Sequence, residues 1–240
     1  AVSSASLMRQ AIIQVKHHVS HRSAFQRRLI DQPLMRNVIA DMVLESEAAL
    51  NLSLRVARAV DNQNSNEDER SFARISTAIS KYWITKRAPY LVFEALECHG
   101  GPGYIEESIM PRLYREAPLN SIWEGSGNVM CLDVLRALQR DKNALPALFR
   151  ELASAKGSNK NFDKSFSHLK DTLQDPIDLE IEARLLTEKM ACLIQASIFI
   201  KSGEEEKVSA FCNSRLGPRW SGAFGTLPND TNFEYIMSGL

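Results

Sequence analysis

Two glycine-rich stretches organise this 240-residue chain: Glu97-Cys98-His99-Gly100-Gly101-Pro102-Gly103-Tyr104 and, some way downstream, Trp123-Glu124-Gly125-Ser126-Gly127-Asn128. Each borders a run of apolar residues at helical spacing. Ahead of the first, Phe72, Ile75, Ile79, Trp83, Val92, Ala95 and Leu96 form the apolar face of one long helix. Pro89 is expected to kink that helix or mark an irregular turn, and residues 100–103 to stop it. After the second, Val129, Leu132, Leu135 and Leu138 are in register for a shorter helix.

The same period extends outward. Leu7, Ala11, Val15 and Val19 fall four apart, with Met8 and Ile12 beside them, predicting a helix over residues 6–29. Pro33 suits a first helical turn, and Leu34, Val38, Met42, Ala49, Leu52, Val56 and Val60 continue the pattern. The polar run 61–66 reads as a loop. Asn66 can then cap the next helix, with Glu67, Asp68 and Glu69 favoured by the dipole in its first turn. Three long helices and a shorter one predict an all-α, antiparallel four-helix bundle over residues 1–140. A smaller helical extension is expected over 141–215. Its segments lie at 145–156, at 162–173 and in a strong helix opening at Asp175-Pro176, with Leu179, Ala183, Leu186, Met190, Leu193, Ser197 and Ile200 on one seam. Residues 216–240, with Gly217, Pro218, Gly222, Gly225 and Pro228, read as a loop-rich tail.

Composition agrees. Eleven glycines and nine prolines are too few breakers for an all-β fold with frequent turns. Twenty-nine basic residues balance 29 acidic ones, so no global field collects nucleic acid or anionic lipid. Cys98, Cys131, Cys192 and Cys212 are far apart, fit no metal-ligand spacing and read as reduced, buried thiols of an intracellular protein. The longest apolar run, 191–200, is interrupted by Gln195 and Ser197 and is too short to span a membrane. No secretory signal is legible. The chain opens with Ala1 directly into a helical pattern, which suggests a natural N-terminus further upstream.

Chemistry is expected at the second stretch. Glu124 precedes a helix N-terminus, where free N–H groups and the dipole can hold an oxyanion or a phosphate. Set among Ile122, Trp123 and small residues, its carboxylate is expected in a water-poor spot that raises its pKa and suits it to act as a base. On spacing alone the plainer reading is favoured, with Glu124 a helix cap and Gly100-Gly101 a helix stop. Composition alone makes Phe25 a core residue and Arg22 a solvated surface arginine. Trp123 either shapes a pocket or packs. Arg115-Glu116 is expected as a structural ion pair, and Asp133 with Arg136 as i,i+3 partners. His17, His18 and His21 fall on a polar helix face and read as solvated; His99 either meets a ligand region or faces solvent.

The region 96–138 resembles the C-terminal signature of the acyl-CoA dehydrogenase family, and within it the alkylation-response (AidB-like) branch. The match is carried by residues 97–104, by Glu107, by residues 111–116, by the run 120–128 and by residues 131–136. Upstream, residues 21–25 and 29–36 resemble the family's flavin-contact segment. The resemblance covers about residues 5 to 140 and is faint beyond, where the branch carries an extra helical domain.

It implies α,β-dehydrogenation of an acyl-CoA thioester with FAD as hydride acceptor. By matching position, Glu124 takes the α-proton, the Glu124 N–H polarises the thioester carbonyl, and Gly125 and Trp123 line the substrate. Arg22, Phe25, Gln32, Gly100, Gly101, Ser126 and Asn128 map to FAD contacts, Arg22 on the pyrophosphate and often on the cofactor of a neighbouring subunit. A homodimer or homotetramer, electron-transfer flavoprotein as acceptor, and a mitochondrial matrix or bacterial cytoplasmic setting are further implications. The sequence departs from the family pattern at Glu97, usually glutamine, at Gln32-Pro33, and at Gln26, usually glycine. The family's preceding helical and β-barrel domains lie outside these residues, so the 240-residue chain is expected to bind FAD weakly or not at all. Two other readings follow: duplex-DNA binding, which the branch is associated with, and a purely structural oligomerisation role. Residues 141–240 hold 12 basic against 14 acidic side chains, which disfavours DNA; a stripe of Lys156, Lys160, Lys164 and Lys170 is the remaining candidate.

Overall fold

A computed structural model describes residues 1–174, 179–218 and 220–239. Helices α1 (Val2–His21), α2 (Pro33–Asn62), α3 (Glu67–His99) and α6 (Gly127–Arg140) form the bundle. Between α3 and α6 lie a single turn α4 (Gly101–Tyr104) and α5 (Met110–Glu116). Helix α3 is the central element, packed on α1, α2 and α6. The His18 and His99 rings lie 4.8 Å apart near the C-terminal ends of α1 and α3, so those helices run parallel. Lys81 reaches Gly125 and Arg74 reaches Asp133, so α6 runs against α3. The result is the expected alternating bundle.

Local chemistry sets the ends. Asn66 Oδ1 accepts from the N–H groups of Asp68 (2.9 Å) and Glu69 (3.2 Å) and caps α3. Gly100, at φ 64, terminates it in a conformation that costs glycine little. Two expectations need correction. Helix α1 ends at His21, not near residue 29. Beyond it Ser23–Ala24 (β1) pairs antiparallel with Arg27–Arg28 (β2) around Phe25 and Gln26, whose φ values of 51° and 64° make a two-residue hairpin turn. Helix periodicity cannot register such a turn, because the apolar residues Leu29 and Ile30 happen to fall in phase. Pro89 does not interrupt α3, which is continuous through it. Neighbouring Ala88, Leu91 and Val92 are fully buried, and their packing outweighs the roughly 3 kcal/mol cost of an interior proline.

Helices α7 (Ala144–Ala153), α8 (Lys160–Gln174), α9 (Leu179–Ser202) and α10 (Glu205–Phe211) follow. The predicted helix start at Asp175-Pro176 lies outside the described residues. Along α9, Ala183, Leu186, Met190, Leu193 and Ser197 are buried as the seam predicts. Helix α9 packs on α2, α3 and α6, and the buried side chains form one continuous apolar cluster with those of the bundle. The chain then makes a π-helical turn, Cys212–Leu216, and returns over α2, where α11 (Phe233–Met237) docks.

Much of that return is held by buried charge. Arg215, on the π-turn, donates to Asp41 and, at 3.1 Å, to Glu45. Arg87 faces Glu45 at 3.2 Å and donates to the Gly222 carbonyl at 3.1 Å. The N–H groups of Gly225 and Thr226 donate to Asp41. All four charged side chains are almost wholly buried. Two carboxylates and two guanidiniums leave no net charge in the interior, as burial requires.

All four cysteines are free and buried, as expected. Among the described residues, no helix is long and apolar enough to cross a membrane, and no group of acidic, histidine or cysteine side chains is arranged to hold a metal.

Candidate functional site

Glu124 lies on the loop that leads from a 3-10 turn (Leu119–Ser121) into α6. Two features hold that loop. Lys81 on α3 donates to the Trp123 carbonyl at 2.8 Å and to the Gly125 carbonyl at 2.5 Å. Gly125 takes φ 109, which side chains rarely adopt, and a Cβ there would sit 2.4 Å from the Met130 side chain. Glu124 itself has φ 53, an uncommon and strained value for this residue type. Its side chain lines a groove with Thr77, Ala78, Lys81, Met130 and Asp133, about 490 Å³ in volume. The Glu124 N–H has no hydrogen-bond partner among the described residues.

The expected water-poor surroundings are absent: Glu124, Trp123, Ser126 and Asn128 are exposed. The flanking side chains Ile122 and Trp123, 64% and 54% exposed, turn away from the bundle. Apolar neighbours in sequence do not desolvate a carboxylate unless the fold wraps them over it. Trp123 therefore does not pack in the bundle. Ser126 occupies the N-cap of α6 without a capping bond. The Asn128 side-chain oxygen accepts from Arg184 Nε on α9 at 2.9 Å. Asp133 pairs with Arg136, as predicted, and more closely with Arg74. Arg115 pairs with Glu106 at 2.8 Å and not with Glu116, because adjacent helical residues point apart.

The remaining predicted residues collect elsewhere. The hairpin follows the end of α1, where the Leu29 N–H donates to the Arg22 carbonyl and Gln32 Nε2 donates to the Ala24 carbonyl at 3.1 Å. His18 on the last turns of α1 meets His99, the residue before Gly100. It is half-buried, a correction to its solvated reading, and burial lowers its pKa ahead of the effect of His99, Arg22 and His17. His99 Nδ1–H donates to the Ala95 carbonyl at 2.7 Å. Arg22, Phe25, Gln32, Gly100 and Gly101 thus share one end of the bundle. Phe25 is 93% exposed, against its core reading. A Cβ at Gly100 or Gly101 would meet nothing within 4 Å, which leaves both main chains open to close approach. Exposed arginine, exposed aromatic ring and bare glycine backbone suit a phosphate-bearing aromatic cofactor. Lys81 and Gly100 are nineteen residues apart on α3, so this end is about 28 Å from the Glu124 loop at 1.5 Å per residue. Lys81 carried no sequence signal, since a lysine in a long helix is ordinary.

An all-helical bundle with an acid ahead of a glycine-rich helix start is thereby defined. Residues 1–139 match the family model "Acyl-CoA dehydrogenase, C-terminal domain". The chain is 39% identical over 219 residues to "Putative acyl-CoA dehydrogenase AidB" of Escherichia coli (strain K12), covering 91% of this chain and 40% of that protein. It is 29% identical over 129 residues to "Caffeyl-CoA reductase-Etf complex subunit CarC" of Acetobacterium woodii, covering 54% and 32%. Among solved structures, Caenorhabditis elegans ACDH-11 in complex with C11-CoA superposes with a TM-score of 0.81 at 25% identity, over 93% of this chain and 43% of that one. The chain belongs to the acyl-CoA dehydrogenase family and carries its C-terminal helical domain. It spans less than half the length of each of these relatives.

Proposed function

We propose that this chain is the C-terminal portion of an FAD-dependent acyl-CoA dehydrogenase and that Glu124 is its catalytic base. The observation that carries the reading is an exposed carboxylate in a strained conformation, placed by Lys81 and Gly125 just ahead of the α6 N-terminus with a free N–H beside it. Strain of that kind concentrates at functional sites.

Glu124 removes the α-proton of the acyl thioester. The Glu124 N–H donates to the thioester carbonyl and stabilises the enolate-like charge that develops there. Gly125 and Trp123 border the acyl group. Bound FAD supplies the acceptor for the hydride that leaves the β-carbon. Ser126 and Asn128 hold the flavin beside Glu124. Arg22, Phe25, Gln32, Gly100 and Gly101, about 28 Å away along α3, hold the cofactor of a second copy. A homodimer or homotetramer follows, because one chain does not bring both sets together. The C11-CoA of the ACDH-11 complex supports an acyl thioester as substrate, and the CarC relative supports electron-transfer flavoprotein as acceptor. By itself the 240-residue chain binds FAD weakly or not at all; stoichiometric yellow colour in the purified chain would refute that.

The test is turnover of a saturated acyl-CoA by the polypeptide that joins this domain to the family's preceding domains. Glu124→Gln should lower kcat by about 10³-fold, within the range for a general base, with acyl-CoA binding retained. Turnover at the unsubstituted rate would overturn the assignment.

A further inference from the structure

A second cavity, which shares no lining residue with the Glu124 groove, lies between α8, α9 and the segment that follows the π-turn. Its volume is about 350 Å³, at the small end of the range for ligand pockets. Its wall is mostly apolar, from Leu185, Cys192, Leu216 and the Trp220 ring, and also carries Asn161, Ser165 and Glu188. Burial pushes the Cys192 thiol well above its ordinary pKa, so it lines the wall uncharged. Arg215 also lines the cavity, with its side chain 1% exposed. Its terminal nitrogens are taken by Asp41, Glu45 and Ser214, and its Nε is enclosed by protein atoms. The Trp220 ring lies over the Arg215 guanidinium at 4.8 Å, and its Nε1–H donates to Glu188 at 2.9 Å.

Because Asp41 and Glu45 already neutralise Arg215 and Arg87, the inner end calls for no further anion. The mouth is different. Lys164 and His168 are exposed there, Lys189 is half-buried, and neither lysine has an ion-pair partner among the described residues. We propose that this cavity binds a small amphipathic carboxylate, its anionic head at Lys164 and Lys189 and its apolar body along Trp220 and Leu216. This site is independent of the dehydrogenase reading.

The probe is octanoate, titrated into the chain while the Trp220 indole N–H resonance is followed, assigned by its absence in Trp220→Phe. Saturable 1:1 binding that shifts this resonance is expected. Lys164→Glu combined with Lys189→Glu should weaken binding about ten-fold by reversing charge at the mouth. Leu185→Trp, at a position 46% exposed and therefore harmless to folding, should block entry with an unchanged melting temperature. An unmoved Trp220 resonance at millimolar probe would overturn the site. So would unchanged affinity in Leu185→Trp. Equal affinity for octane-1,8-diol would overturn the carboxylate class.

Discussion

Glu124 stands exposed on a loop at φ 53, whereas Asp41 and Glu45 lie buried beneath the C-terminal return with Arg87 and Arg215 against them. Water solvates the first carboxylate, so it needs no partner. The other two have no water and survive only because guanidiniums and main-chain N–H groups replace it. The backbone shows the reverse ranking. Strain is kept at the exposed acid, while the buried acids sit in a regular helix. One region spends stability on accessibility, and the other converts charge into the attachment of the last part of the chain to the bundle.

The contrast is broken most sharply at Arg215. Arg215→Met leaves Asp41 and Glu45 short of a cation in the interior and should cost about 3–5 kcal/mol of unfolding free energy, measured by urea denaturation. Acid should act through the same cluster. Burial alone raises the Glu45 pKa, but the charges and hydrogen bonds of Arg87 and Arg215 outweigh it and leave the group below its usual value. A carboxyl lowered on folding contributes its stability in full above the unfolded pKa and loses it as pH falls through the folded one. Melting followed on the acid side should show this loss below the ordinary carboxylate range, and Glu45→Gln should remove that limb of the profile.

On the loop, Gly125→Ala forces a Cβ into φ 109 and onto Met130, and should cost about 2 kcal/mol by chemical denaturation. Glu124→Gly should have the opposite sign. It relieves the left-handed strain and should raise stability by about 1 kcal/mol, read by the same denaturation. Removal of an exposed, strained acid stabilises; removal of a buried acid's partner destabilises. Equal signs in the two variants would end the comparison.

The bundle was legible because its signals are local. Asn66 and the acids after it capped α3 as expected, and the four-residue spacing in α1, α2 and α6 named their buried faces. The Glu124 loop was legible as a motif, though its exposure was not. The hairpin at residue 25 left one trace, a glutamine at Gln26 where the family's glycine would adopt φ 64 more cheaply. Residues 216–240 read as a tail because their glycines and prolines show no period. Their docking depends on Arg215 meeting Asp41 and Glu45 across 174 and 170 positions of chain, which no sequence window contains.

Apolar period, caps and glycine punctuation were enough to specify which segments are helices, that they bundle, and which acid fronts the last bundle helix, since each depends on residues a few positions apart. Packing alone settled that this acid faces solvent, that Arg22, Phe25, Gln32, Gly100 and Gly101 gather at the C-terminal end of α3 while the Glu124 loop lies beside its middle, and that a neutral cluster of four charges draws the C-terminal segment onto α2. Those outcomes follow from burial and from charge pairing between distant parts of the chain, and both come into existence only when the helices meet.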